Sequence, residues 1–480
     1  MKIANKTTTA VSLVKEALKK AEKYKDHNIF VSLNEENALK KAEEIDKKIK
    51  NGERVGRLAG VPYALKDNFL SKEGNTTASS KILKPFASPI TATSVKKLEE
   101  QGAIMIGRTN LDSFAHGSST ENSHFGPTLN AYDKERVAGG SSGGSAVSVA
   151  LDIVEFATGS DTGGSIRQPA SFNGIYGLKP TYGTISRYGV VAMASSTDSI
   201  GIFAKTPEDT DLLMIILSGK DEKDSTTLEN FYNTPDGTQK ADFPQATSSA
   251  SRESLEENPP SQFIKTLGII KDFDNESVNP EIRQSLKQTL EKAEKKGIKI
   301  VELKMPTLKY ALAVYYIVVP AEVASNLSRH DGIRYGFRAK DIKTLGELYG
   351  KTRNEGFMPE NKRRIMIGNF VLSSGFYDAY YLKAQKARTL IIKEYEKAFE
   401  SVDAILTPVS PSPAFKLGEK TADPISMYLE DVMSVPINLA GLPALAIPAG
   451  KTKEGLPIGL QLIGPRRSDK SLINLAKELK

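Results

Sequence analysis

The chain has 480 residues, 39% of them hydrophobic and 26% charged, with a net charge of +7 from 65 basic and 58 acidic side chains. That is the composition of a soluble globular protein long enough to bury a large core, and the modest positive balance permits contact with nucleic acid without arguing for it. There is no cysteine, which excludes thiol nucleophiles, disulfides and cysteine-based metal sites.

No run is expected to reach the roughly 18 apolar residues of a membrane span. The opening Met1-Lys2-Ile3-Ala4-Asn5-Lys6 does not read as a signal peptide. A cytoplasmic protein without membrane contact is expected. Residues 9–24 read as an amphipathic helix, with Ala10, Leu13, Val14, Ala17, Leu18 and Ala21 on one side, and residues 36–50 as a second. The two belong to an N-terminal segment, 1–55, expected to pack on the core. Val61-Pro62-Tyr63-Ala64-Leu65 is a short apolar run, read as a buried strand that ends at Lys66. Residues 93–101 form a helix stopped by Gly102, and 103–107 a buried strand.

Two Gly- and Ser-rich loops follow, Gly139-Gly140-Ser141-Ser142-Gly143-Gly144-Ser145 and Gly159-Ser160-Asp161-Thr162-Gly163-Gly164-Ser165. An apolar segment joins them, so they are not a flexible linker. Neither has the Lys that a phosphate loop needs after its last Gly. Successive Gly and Ser amides can instead line one concavity that binds developing negative charge. A Ser hydroxyl needs a neighbouring base to act as a nucleophile. The chain's four His residues, 27, 116, 124 and 330, all lie outside the two loops. A Lys can replace His if burial keeps it neutral, and Lys66 at the end of an apolar strand suits that need.

These loops resemble the signature of the amidase signature family, serine hydrolases that cleave carboxamides. The resemblance implies a Lys-Ser-Ser triad: Ser165 the nucleophile, Ser141 the bridge, Lys66 the base. It implies an oxyanion hole from the backbone N–H groups of Thr162, Gly163 and Gly164 with that of Ser165. It also implies a cis Gly140–Ser141 peptide bond. The family fold is α/β, a central mixed sheet flanked by helices on both faces. That fits a sequence in which strands alternate with helices, and the whole chain, 1–480, is expected to be one amidase domain.

Further along, 154–158, 174–178 and 190–194 are read as strands, and 206–217 as a helix opened by Thr-Pro-Glu-Asp. Residues 221–262 are rich in Ser, Thr, Asn, Asp, Glu and Pro and read as a long exposed or disordered loop. Order resumes with strands at 263–270 and 298–303 around a helix at 281–296.

The segment Arg108 to Ser123, and later stretches around Tyr315-Tyr316, Lys362-Arg363-Arg364 and Met427 to Asp431, resemble the branch of the family that serves tRNA-dependent amidation. That branch usually carries Met where His116 stands, so His116 either lines the substrate pocket or caps a turn. The resemblance implies free glutamine as amide donor, gripped by Tyr315, Arg364 and Asp431, with Tyr316 and Arg363 as the rivals. A guanidinium holds a carboxylate in a two-pronged way, and a carboxylate holds an ammonium. It further implies a heterotrimer. A second protein would use ATP and Mg²⁺ and carry most of the tRNA contact, and a small third one would wrap the pair. This chain itself shows no ATP or metal motif. The competing readings are a free-standing hydrolase of aliphatic or aryl amides, against which the later motifs weigh, and a non-catalytic scaffold, against which Lys66, Ser141 and Ser165 weigh.

Overall fold

The computed structural model describes residues 1–5, 7–232, 264–273 and 276–480. Eleven strands among them form one sheet. In chain order these are β1 (Phe30–Leu33), β2 (Pro62–Lys66), β3 (Ile104–Thr109), β4 (Phe156–Asp161), β5 (Tyr176–Lys179), β6 (Ser199–Ala204), β7 (Thr266–Ile270), β8 (Lys299–Leu303), β9 (Ala404–Pro408), β10 (Ala444–Lys451) and β11 (Pro457–Ile463). Across the sheet they run β1-β3-β2-β4-β6-β5-β10-β11-β9-β7-β8. Parallel pairs lie at β3–β2–β4 and β9–β7–β8, and the strands between pair antiparallel. The sheet is therefore mixed, as expected.

Both faces are covered, which is why the central strands are apolar without alternation. Tyr63 and Leu65 of β2 enter a layer built with helices Thr93–Glu100, Pro207–Leu217 and Asp469–Leu479. Ala64 between them faces the opposite layer, where helices Ala10–Lys23, Glu35–Lys50 and Gly143–Ala150 pack. The N-terminal helices thus cover the sheet through the small side of β2, with Ala10, Ala17, Ala21, Ala38 and Ala42 allowing close approach.

A third cluster is centred on helix Ala311–Leu327. With the 3-10 turn before it, Leu308–Leu327 is the one helix among the described residues long and apolar enough to cross a membrane. This differs from the sequence expectation. The apolarity has a core explanation, because Val314, Val318, Val319, Val323 and Leu327 are buried against other helices of this chain. Helix Pro359–Leu372 crosses it so closely that a Cβ on Gly368 would lie 2.0 Å from the Pro320 carbonyl oxygen.

Two expectations are corrected. Residues 190–194 form no strand. The N–H groups of Met193 and Ala194 donate to the Asp198 carboxylate (2.9 and 3.1 Å), so pairing stops at one isolated antiparallel bridge between Phe69 and Val190. The strand lies just beyond, at β6. The segment 221–232 is not exposed throughout: Asp221 accepts from Thr93 and Ser186 (2.6 Å each), and Phe231 and Tyr232 are buried. Residues 233–262 lie outside the described residues.

Candidate active site

The site is built where β2 and β4 end side by side in the sheet. Lys66 is the last residue of β2 and is fully buried. Its Nζ lies 2.9 Å from Ser141 Oγ, 2.9 Å from Ser160 Oγ and 3.2 Å from the Ser160 carbonyl oxygen. Burial is the dominant influence and brings the amine down to about 7, against the pull of the Asp112, Asp161 and Asp198 charges. A neutral amine has two hydrogens and one lone pair. With the two Ser160 oxygens taking the hydrogens, the lone pair is left for the Ser141 hydroxyl. Asn68 Nδ2 donates to Ser160 Oγ (3.0 Å) and steadies it. Neither Ser160 nor Asn68 stood out in the sequence. A cavity of about 210 Å³ opens beside Asn68, Ser160 and Thr162.

The Gly140–Ser141 peptide bond is cis. Its loop is clasped by Thr120, whose hydroxyl donates to the Gly139 carbonyl (2.7 Å) and accepts from the Gly143 N–H (3.1 Å). Thr120 is itself held by Asp112, whose carboxylate accepts from the Thr120 N–H at 2.9 Å.

Ser165 follows β4 in the second loop and is 7% exposed. The two loops meet through the backbone, Ser142 N–H donating to the Ser165 carbonyl at 3.2 Å. No hydrogen bond joins the Ser141 and Ser165 hydroxyls among those of the described residues. The loop is shaped by Asp161, fully buried and ion-paired with the fully buried Arg167 (3.0 Å). Arg167, with Asn438, holds the Asp161 carboxyl below the usual carboxylate range, although burial alone would raise it. Asp161 also accepts from the Gly164 N–H at 2.8 Å and the Ile166 N–H at 3.0 Å. This corrects one expectation. The Gly164 amide is occupied, so it is not a free oxyanion donor. The amides of Thr162, Gly163 and Ser165 bond to no group among the described residues. Neighbours also demand glycine here: a Cβ on Gly163 would lie 2.5 Å from Tyr315 Oη, and one on Gly164 2.4 Å from Ser434 Oγ.

The expected glutamine-gripping residues gather on one side of this loop. Asp431 is buried and accepts from Ser118 Oγ (2.7 Å) and Tyr316 Oη (3.3 Å). Burial pushes its carboxyl up to about 7, with Ser118, Arg364 and Tyr316 pulling the other way. Arg364 is buried, and its Nε donates to Glu360 Oε1 at 2.8 Å. Its two Nη groups have no hydrogen-bond partner among the described residues. The guanidinium lies 5.3 Å from the Tyr316 ring centre and 5.8 Å from that of Tyr428. Arg363, one residue away, is a surface side chain paired with Glu360 and stands apart from these buried groups. Tyr315 and Tyr316 both belong here: Tyr315 abuts Gly163, and Tyr316 bridges Arg364 and Asp431.

His116 is buried and closes the turn Ser113–Ala115, its N–H donating to the Ser113 carbonyl at 3.0 Å. Asn361 Nδ2 meets its Nδ1 at 2.7 Å. Burial, then the Arg364 charge, hold the ring well below the usual imidazole range and therefore neutral. Among the described residues no group of three or more His, Cys, Asp or Glu side chains is placed to hold a metal ion.

A family model described as Amidase matches residues 12–473. The chain belongs to the amidase family. It is 49% identical over 443 residues to the A subunit of glutamyl-tRNA(Gln) amidotransferase from Persephonella marina, covering 92% of this chain and 87% of that one. With the protein of the same name from a Cyanothece species it shares 48% over 469 residues, 96% and 92% of the two chains. The crystal structure of the glutamyl-tRNA(Gln) amidotransferase A subunit from Thermotoga maritima superposes with a TM-score of 0.76 at 38% identity, covering 98% of this chain and 91% of that one. Membership of the amidase family accounts for the paired loops and for the mixed sheet that carries them.

Proposed function

We propose that the chain is the glutamine-hydrolysing amidase component of a tRNA-dependent amidotransferase. It releases the ammonia that converts Glu-tRNA(Gln) to Gln-tRNA(Gln), and/or Asp-tRNA(Asn) to Asn-tRNA(Asn). The observation that carries the chemistry is the fully buried Lys66 amine 2.9 Å from Ser141 Oγ. Neutral Lys66 takes the Ser141 proton as Ser141 takes that of Ser165. Ser165 Oγ then attacks the side-chain amide carbon of glutamine. The oxyanion is met by the N–H groups of Thr162, Gly163 and Ser165. The proton returns along the relay to the leaving ammonia, and water hydrolyses the glutamyl-Ser165 ester to glutamate. The unpaired Nη groups of Arg364 support a carboxylate subsite, and Asp431 an ammonium subsite, which together favour a free α-amino acid over a neutral amide.

Residues 1–480 act as one amidase domain in this reading. The relatives' naming as the A subunit of an amidotransferase supports an assembly of several proteins. We take it to be a cytoplasmic heterotrimer with the B and C subunits of such an enzyme, in which the B component uses ATP and Mg²⁺ and makes most of the tRNA contact. The test is hydroxylamine trapping of the acyl-enzyme formed from glutamine by the purified complex, with the same experiment on Ser165→Ala. Glutamyl hydroxamate from the wild type alone is expected. Hydroxamate formation by the variant would overturn the assignment, and recovery of the chain from its own cells without partner proteins would overturn the assembly.

A further inference from the structure

Glu360 has no role in the reaction as derived, yet it contacts Arg364, Tyr428 and Arg363 behind the proposed substrate-binding residues. It opens helix Pro359–Leu372 one turn before Arg364. Its Oε1 accepts from Arg364 Nε (2.8 Å) and from the Tyr428 hydroxyl (2.9 Å), and its other oxygen takes Arg363. Tyr428 stacks on Tyr316, with ring centres 3.9 Å apart and planes 22° from parallel. Tyr316 in turn reaches Asp431 with its hydroxyl. One connected set of side chains therefore runs from the carboxylate subsite to the ammonium subsite.

An isolated Glu–Arg pair four residues apart on a helix is worth little at a surface. This one is different. Arg364 is buried, and a guanidinium taken out of water without partners is costly. Glu360 satisfies one N–H, on the Nε edge, and leaves the Nη end free. A carboxylate that took the Nη end would block the subsite. One on the Nε edge holds the plane of the fork while leaving the end that meets a substrate open. The arrangement pre-forms the subsite, so no rotamer freedom need be lost when substrate arrives.

We infer that Glu360 is the positioning residue of the substrate-carboxylate subsite, aiming Arg364 directly and holding the Tyr428–Tyr316 stack that sets the separation of Arg364 from Asp431. The inference rests on the glutamine reading above. It makes Glu360 a determinant of selectivity for free α-amino acid amides.

The experiment compares glutamine with 4-aminobutanamide, which is glutamine without its carboxylate, using the purified amidotransferase complex carrying wild type, Glu360→Ala or Glu360→Gln. In Glu360→Ala the glutamine KM rises about 10- to 100-fold with kcat held within about twofold, as expected for loss of a charge-assisted bond that acts through binding. Its kcat/KM for 4-aminobutanamide, which has no carboxylate for Arg364 to hold, falls at least about fivefold less than that for glutamine. Glu360→Gln keeps an acceptor oxygen for Arg364 Nε and Tyr428, stays folded, and recovers most of the glutamine KM. Parallel losses on both substrates, or an unchanged glutamine KM in both variants, overturn the inference while leaving the glutamine reading intact. A wild type with no preference for glutamine over 4-aminobutanamide overturns that reading and this inference with it.

Discussion

The amine of Lys66 lies 2.9 Å from Ser141 Oγ, and its other hydrogen-bond partners are the carbonyl and hydroxyl of Ser160. It makes no salt bridge to a carboxylate among the described residues. A buried amine without an ion-pair partner loses its proton readily. The activity should therefore follow the base form of Lys66. Its kcat is expected to rise with pH and level off above about 7, the position burial gives this amine. Lys66→Ala should lower kcat by about 10³-fold or more and remove that limb, as losses of relay members do. A wild-type pH–rate profile in the Lys66→Ala protein would contradict the role.

Ser165→Ala separates chemistry from folding. The Ser165 side chain makes no hydrogen bond among the described residues, so the variant should melt within a few degrees of the wild type, as expected for a change of about 0.5 kcal/mol or less. Glutamine should still bind it while turnover disappears. Calorimetric titration with glutamine, run beside an ammonia assay, checks both halves.

The two charged subsites should respond differently to pH. Burial pushes the Asp431 carboxyl up to about 7. Below that pH it is neutral and cannot hold an ammonium, so the glutamine KM should climb as pH falls through about 7. Asp431→Asn should raise KM at neutral pH and flatten this dependence. Arg364→Ala should raise KM about 100-fold at every pH, the loss of a two-pronged charged contact, while leaving 4-aminobutanamide unaffected. KM measured from pH 6 to 9 for each variant decides the matter.

Asp161 links the nucleophile loop to stability. Its folded carboxyl is held below the usual range by Arg167 and Asn438 despite its burial. The sign follows: the stability it contributes is complete above the ordinary carboxylate range, near 4, and is lost as pH falls below it. Asp161→Asn should leave the buried Arg167 charge uncompensated and cost about 3–5 kcal/mol, seen as a large drop in melting temperature at pH 7 that narrows in acid.

Gly368→Ala tests how two helices place the recognition residues. A Cβ there would meet the Pro320 carbonyl at 2.0 Å, and Tyr316 and Arg364 stand one turn earlier on the same two helices. Overpacking of this kind costs about 1–3 kcal/mol. The helices should part, moving Arg364 off Tyr316 and raising the glutamine KM more than it lowers kcat. An unchanged melting temperature and KM would show that the contact yields without consequence.

The sequence by itself determined the parts that depend on near neighbours. Lys66 at the end of a short apolar run, the two Gly/Ser loops and the apolar faces of helices Ala10–Lys23 and Glu35–Lys50 were all legible, because backbone freedom and periodicity are properties of a few consecutive residues. Strand β6 could have been read from the alternation of Ile200 and Ile202 with Ser199 and Gly201, and Glu360 from its place four residues before Arg364. Other features had no local signal. Arg363 and Arg364 are equivalent as text, and only the packing of their helix buries one and exposes the other. The Gly164 amide is lost to the oxyanion hole because the loop folds back on Asp161. That helix Ala311–Leu327 lies in the core was settled by the other helices of this chain that cover its valines. Ser118 and Asp431 are 313 residues apart in the chain and 2.7 Å apart in the fold. Tertiary structure decided these, since burial and hydrogen-bond partners are set by which distant segments the sheet and its helices bring together.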